Sequence, residues 1–243
     1  MVGTEIDIDQ MNEKAPYSGS ENLEIMKEAV NYNRFLRNLV AKHATNRSKI
    51  LDFGAGIGTF SDSVPIPIDR ISCVEPDQVA RTTLAERGYT VFESAGQLTR
   101  STYSYVFSLN VLEHIEDHEA VVAQLHEAIE PGGRIYLYLP AFNHIRTSMD
   151  DLVGHHRRYT RSQLIVLVSQ AGFTHEDSGY TDFLGYFASW MVKLMEKLQR
   201  QPTGVVNKRL LIAYDRFAFP VSQVLSLIFK RVVGKNVYIV ARK

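Results

Sequence analysis

The stretch ILDFGAGIGTF at residues 50–60 decides the fold. Two apolar residues lead to Asp52 and Phe53, and glycines then take alternate positions at Gly54, Gly56 and Gly58. An apolar run ending this way reads as a buried strand feeding a sharp turn, because glycine accepts positive φ and lets a ligand approach the main chain. Outward from it, RISCVEP (70–76) predicts a second strand stopped by Pro76. Further strands are expected near TVFES (90–94), at YSYVFSLN (103–110), at RIYLYLP (134–140) and at NVYIVARK (236–243). Helices are expected between them. One runs from Ser20, with Leu23, Met26, Val30, Leu36, Leu39 and Val40 at helical spacing. Another runs from Asp117 to Ile129 and is ended by Pro131-Gly132-Gly133, and a third covers RSQLIVLVSQAGF (161–173). Strands alternating with helices predict a mostly parallel α/β sheet, covered on both faces, with its ligand at the carboxyl ends of the strands.

The composition narrows the class. The chain has 243 residues, 45 % of them apolar, enough for a substantial core. A single cysteine, Cys73, excludes a disulfide framework or a cysteine-rich zinc site and suits a reducing compartment. Residues 1–18 read as a flexible arm without the apolar core of a signal peptide, leaving 19–243 as one domain and the cytoplasm as its expected location. The zero net charge conceals a division: from Lys193 onward eleven Lys and Arg face two acids, so the tail is +9 and the rest −9. Such a tail suits an anionic partner, for instance a lipid surface, or is a solvated basic face. Residues 180–235 depart from the strand–helix rhythm and read as a helical lid or substrate insertion. Lys193 interrupts FLGYFASWMVKLMEKL, and Asp215, Arg216 and Pro220 interrupt LLIAYDRFAFPVSQVLSLIF, so no membrane crossing is expected.

Three details select the ligand of the glycine turn. No Gly-Lys-Ser/Thr follows, as a phosphate-binding loop requires, and Thr59 stands where a dinucleotide fingerprint wants its third glycine. Glu75 ends the second strand, where a carboxylate accepts both hydroxyls of a ribose and repels a 2′-phosphate. Asp52, at the mouth of the first strand, suits an ammonium group. An adenosine joined to an amino acid fits both ends, as in S-adenosylmethionine.

DFGAGIG, Glu75-Pro76-Asp77, FSLNVLEHIEDH and PGGRIYLYLP together resemble class I S-adenosylmethionine-dependent methyltransferases over about residues 30–175. The resemblance implies a Rossmann-like seven-stranded sheet whose last strand, NVYIVARK, runs antiparallel. It implies that Gly54, Gly56 and Gly58 border the methionine and ribose, that Ser94 and Ala95 lie near adenine, and that Asn110 and Val111 approach the sulfonium side. NYNRF (31–35) and GHHRRYTRSQL (154–164) resemble a methyltransferase group found beside glycosyltransferases. By that resemblance Tyr32 closes over the cofactor, or else packs its helix.

Methyl transfer to a hydroxyl needs a proton acceptor, and histidine suits it. His155 is the expected general base, with His114 as the second candidate; His118 is expected to be solvated. His144, Arg157, Arg158 and Tyr159 are the candidate acceptor-binding residues, the arginines for a phosphate or carboxylate, although adjacent basic residues also make solvated turns and Thr160 has the character of a helix cap. The adjacent His155 and His156 lack helical ligand spacing, so no metal is expected. The expected acceptor is a small molecule, a saccharide or a lipid-linked compound, with peripheral membrane contact through the basic tail. Phe183, Phe187, Trp190, Leu194 and Leu198 align on one helical face beside Lys193, Lys197 and Arg200, as a lid, a dimer contact or an interfacial helix. The competing classes are a nicotinamide-dependent oxidoreductase and a non-catalytic cofactor-binding partner. No nucleic-acid module or base-methylation signature is present.

Overall fold

A computed structural model describes residues 25–45, 49–199 and 207–243. The expected arm 1–18, the helix start at Ser20 and Arg200 lie outside the described residues. In chain order the elements are α1 (Val30–Ala41), β1 (Ile50–Phe53), β2 (Ile71–Val74), α2 (Gln78–Glu86), β3 (Thr90–Phe92), β4 (Tyr103–Leu109), α3 (His118–Ala128) and β5 (Ile129–Pro140). After these come α4 (Ser148–Leu152), α5 (Arg161–Gln170), β6 (Thr174–Thr181), α6 (Phe183–Gln199), α7 (Lys208–Ala213), α8 (Phe219–Phe229) and β7 (Asn236–Arg242). The seven strands form one sheet in the order β3-β2-β1-β4-β5-β7-β6. β7 is antiparallel to both neighbours, as the resemblance implies.

Strand alternation sorts the core into two layers. On one face Leu51, Val106, Ile135, Leu137 and Leu139 pack with Val122 and Leu125 of α3 and Leu164 and Val168 of α5. On the other, Ile50, Tyr105, Phe107, Tyr136 and Tyr138 meet Leu36 and Val40 of α1 and Leu84 of α2. The first face is mainly aliphatic, whereas β4 and β5 give the second face the aromatic rings of Tyr105, Phe107, Tyr136 and Tyr138; each large apolar side chain so buried contributes about 1.5–3 kcal/mol of transfer free energy.

Two elements differ from the sequence expectation. Pro131-Gly132-Gly133 does not follow the helix as a terminator but lies inside β5, whose pairing with β4 starts at Ile129↔Tyr103 and then shifts register. A partner strand stands beside the chain as soon as α3 ends, so strand pairing begins without a loop. Gly133 allows the irregularity: a Cβ there would lie 2.6 Å from Ile129 Cγ2 and 3.0 Å from the Ser104 carbonyl oxygen. The other is β6, whose sequence THEDSGYT carries no strand signal. It is an edge strand held by β7, buried only along its second half.

The insertion lies between β6 and β7. α7, a π-helical turn at Tyr214–Ala218 and α8 form one continuous helix, Lys208–Phe229, of 22 residues. By length and composition this helix is apolar enough to cross a bilayer, whereas the sequence suggested an interrupted segment. Asp215 sits in the π turn, buried, and accepts hydrogen bonds from the N–H groups of Asn31 (2.9 Å) and Tyr32 (2.8 Å). The tail thereby caps the N-terminus of α1, whose own preceding residue, Ala29, has no side chain able to do so. At the other root of the insertion, buried Asp182 accepts from the Tyr214 hydroxyl (2.5 Å), the Ser222 hydroxyl (2.8 Å) and the Gly185 N–H (3.1 Å).

Candidate active site at the strand ends

The carboxyl ends of β1, β2 and β4 meet at the glycine turn. Gly54, Gly56 and Gly58 have φ of +81°, +55° and +87°, a region that side chains other than glycine rarely adopt. A Cβ on Gly54 would lie 2.2 Å from Val111 Cγ2, so the turn packs directly on the end of β4. A Cβ on Gly56 would meet nothing within 4 Å among the described residues, which leave the turn open there. Glu75, half-buried after β2, accepts from the Gly56 N–H (2.8 Å) and the Asp77 N–H (3.0 Å). Its carboxylate is therefore held at the rim of the turn, while Pro76 beside it is exposed.

Asp52 is buried beneath the turn and accepts from the Ser61 hydroxyl at 2.6 Å. Burial, opposed by that hydrogen bond, pushes its carboxyl up to about 7. Asn110 ends β4 with φ +55° and donates its N–H to the Tyr138 carbonyl (2.7 Å). The Tyr32 hydroxyl reaches Tyr138 and Asn110, and burial raises it to about 12. Its ring also packs edge-on to Phe219, 5.5 Å away, the packing role expected of Tyr32 as the alternative to closing over a cofactor. Ser94 is exposed after β3 and Ala95 is buried under it. A turn with open space at Gly56, a carboxylate on its rim and a half-buried Asn110 opposite fits an adenosyl amino acid.

On the other side of the crevice, residues far apart in sequence converge. His155 Nδ1 lies 2.7 Å from Asp150 Oδ1, its Nε2 lies 3.8 Å from Glu113 Oε1, and its ring stands edge-on to His114 at 4.6 Å. Glu113 is fully buried, and among the described residues neither carboxylate oxygen has a hydrogen-bond partner. Burial, only partly offset by Arg158, pushes its carboxyl up to about 8. Burial and then the neighbouring His155 lower His114. Burial works against the charge on Asp150 too, but bonds from His155 and Arg158 hold it well below the usual carboxylate range.

Local sequence explains how these residues are held. Thr147 and Asp150 form a capping box at α4, Gly154 turns the chain with φ +76°, and the His155 and His156 N–H groups donate to the Asp150 and Glu113 carbonyls. Thr160 caps α5, accepting from the Gln163 N–H.

Several expected roles are corrected. The buried Arg158 guanidinium clamps Asp150 through Nε (2.7 Å) and Nη2 (2.9 Å) and donates to the Ala141 carbonyl, so it is a structural partner rather than an acceptor-binding group. Tyr159 is buried with its hydroxyl on the Leu112 carbonyl (3.2 Å), likewise structural. His118 is half-buried against the Tyr159 ring rather than solvated. Arg157 donates to the Glu116 carbonyl. His144 stays exposed and pairs with the Tyr186 hydroxyl of α6 (2.9 Å). The metal expectation rested on His155 and His156 being neighbours; the fold instead gathers Glu113, His114 and His155, with ligand atoms within 4.8 Å of one another. Sequence reading also missed Asp150, although an acid four residues before a Gly-His pair was its signal.

Comparison with known proteins agrees with this geometry. A methyltransferase-domain family model matches residues 25–177. The ubiquinone biosynthesis O-methyltransferase of Photorhabdus laumondii is 31 % identical over 98 residues, which cover 36 % of this chain and 41 % of that protein's length. A SAM-dependent methyltransferase from Archaeoglobus fulgidus has a similar fold, with TM-score 0.60 and 14 % identity over 93 % of this chain and 100 % of that one. So has Haemonchus contortus phosphoethanolamine N-methyltransferase 2 bound to S-adenosyl-L-methionine, with TM-score 0.55 and 15 % identity over 88 % of this chain and 52 % of that one. The chain belongs to this methyltransferase-domain family, and its cofactor is S-adenosylmethionine.

Proposed function

We propose that this chain methylates a hydroxyl of an apolar, lipid-linked acceptor, a saccharide-bearing one by the glycosyltransferase-associated likeness, and that it works from the cytoplasm against an anionic membrane surface. One observation carries this reading: the exposed apolar face of the insertion is fastened to the acceptor side of the crevice. Phe187, Trp190, Met191, Leu194 and Leu198 of α6 are 37–73 % exposed, and Leu227 and Ile228 of α8 are 76 % and 70 % exposed. Lys197, Arg209, Arg216 and Arg231 are exposed on the same segment. Apolar side chains edged by cations suit insertion into the headgroup region of anionic lipid. The fastening is direct. Lys193 Nζ donates to the His144 carbonyl (2.9 Å), and the Ser148 hydroxyl and N–H donate to Glu196 (2.6 and 3.2 Å). An acceptor drawn from the bilayer would thus enter beside α4 and meet the Glu113–His114–His155 cluster. The hydroxyl chemistry of the Photorhabdus relative, an O-methyltransferase, supports an oxygen acceptor.

S-adenosylmethionine, when bound, supplies an electrophilic methyl whose departure leaves a neutral thioether, so no residue has to protonate the leaving sulfur. The chain's own residues bind and orient. Glu75 takes the ribose hydroxyls, Asp52 neutralises the ammonium, and Asn110 with Tyr32 borders the reacting end. Holding the acceptor oxygen in line contributes most of the acceleration. The acceptor's proton is managed at the cluster, where Asp150 fixes the His155 ring.

The test is incubation with methyl-labelled cofactor and fractionated lipids, alongside flotation with vesicles of phosphatidylglycerol and phosphatidylcholine. Label in a lipid fraction and flotation at low salt are expected. A His155→Ala chain should bind S-adenosylhomocysteine normally and lose about 10²- to 10⁴-fold in turnover. Label only in water-soluble metabolites, or no flotation, overturns the lipid reading. No label anywhere favours a non-catalytic role.

A further inference from the structure

We propose that Glu113, His114 and His155 bind one divalent cation of the zinc class, and that this cation, rather than a free imidazole, activates the acceptor oxygen. The proposal rests on the acceptor-side reading of the cluster, but metal binding is measured without turnover.

The buried carboxylate is the strongest observation. Glu113 is 0 % exposed, with neither oxygen hydrogen-bonded among the described residues. Buried polar groups are almost always paired, and a carboxyl group buried without a partner is one that a bound cation would satisfy. The nearest cation, Arg158, spends its guanidinium on Asp150 and the Ala141 carbonyl. What does stand beside Glu113 is a pair of imidazoles. His155 Nε2 is 3.8 Å from Glu113 Oε1, outside hydrogen-bond range, and the His114 ring completes a group whose ligand atoms lie within 4.8 Å of one another. A shared ion would draw these atoms to about 2.0–2.2 Å from itself.

The outer partners also fit. Asp150 accepts from His155 Nδ1 at 2.7 Å, which leaves Nε2 free as the ligand atom and orients the ring, the carboxylate–histidine arrangement of metal sites. His114 is steadied by the backbone carbonyls of Gly154 and Val153. Two imidazoles and one carboxylate favour zinc over magnesium, and three protein ligands leave a fourth position open. His155 is 15 % exposed in its side chain, so that position can be reached. An acceptor hydroxyl bound there loses its proton to solvent, and its oxygen lone pair forms the new O–C bond as the S–C bond breaks. The products are the methyl ether and S-adenosylhomocysteine, with the cation unchanged.

The test is calorimetry of the full chain, stripped with chelator, against Zn²⁺ and against Mg²⁺. One zinc per chain is expected, with weaker binding of magnesium. Co²⁺ loading should give the visible bands of a four-coordinate, histidine-ligated site. Glu113→Gln and His155→Ala should each weaken zinc binding at least about tenfold while S-adenosylhomocysteine binding, measured on the same samples, reports that the fold survives. No zinc heat in the wild-type chain, or equal zinc affinity in both variants, overturns the proposal. Loss of S-adenosylhomocysteine binding in the wild-type chain would instead overturn the cofactor reading.

Discussion

On the glycine side of the crevice the main chain does the holding, whereas on the histidine side almost every fixed atom belongs to a side chain. Gly54 and Ala55 donate their N–H groups to the Val74 carbonyl, and Gly56 donates to Glu75; a Cβ at Gly54 would collide with Val111. Across the crevice, Asp150 binds Arg158 and His155, His155 faces Glu113, and Glu196 of the insertion takes Ser148. A ligand gripped by main chain is common to every chain with that turn, while one gripped by a side-chain network is specific to this chain. The difference predicts where mutation costs stability and where it costs affinity.

The largest effect is expected from Asp150→Ala. The substitution strands the buried Arg158 guanidinium without its carboxylate, and breaking one partner of a buried pair typically costs about 3–5 kcal/mol. For a domain of this size that lowers Tm by roughly 10 °C. Calorimetric unfolding checks it. A loss below about 1 kcal/mol would mean that solvent satisfies Arg158 and that the acceptor side is less tightly built than its bond network implies.

This contrast also explains what was legible in the sequence. The strand, the glycine turn and Glu75 lie within about 25 residues, so spacing alone placed them, and six of the seven strands carried their own apolar signal. β6 did not, because an edge strand half-exposed to water needs no apolar run. The fold brings Glu113 beside His155 and the Asp150–Arg158 pair from about 40 positions away in sequence, and no spacing rule connects them. Arg158 was therefore misread as an acceptor group. A cation next to histidines looks the same in sequence whether its partner is a substrate or a buried aspartate. Asp215 capping α1 from 184 residues away was equally invisible.

Glu75→Ala sharpens the comparison from the other side. Its carboxylate is half-exposed at the turn, so stability should fall by only about 1 kcal/mol. Affinity for S-adenosylhomocysteine should fall about 10- to 100-fold, the worth of hydrogen bonds between a charged acceptor and the ribose hydroxyls at about 1.5–3 kcal/mol. Titration calorimetry and unfolding on the same protein separate the two. An unchanged affinity would confine Glu75 to bracing Gly56 and remove the argument for a ribose at this position.

The smallest effect belongs to Asp52, and it tests whether the glycine side recruits a buried charge. Its carboxyl titrates near 7 in the folded free chain, against 3.8 ordinarily. A raised folded value means that its contribution to stability is fully present below about pH 4 and is lost as pH rises through about 7. An ammonium group bound beside Asp52 favours the ionised form, so binding must expel a proton wherever the free chain still carries it. Affinity for S-adenosylhomocysteine should then climb with pH from about 5 and level off above about 7, by at most tenfold per pH unit. Calorimetry in two buffers of different ionisation enthalpy should register the released proton below pH 7, and Asp52→Asn should abolish both the release and the slope. Should wild-type affinity stay flat across this range, Asp52 serves only to hold Ser61 under the turn, and the ammonium is bound by main-chain groups alone.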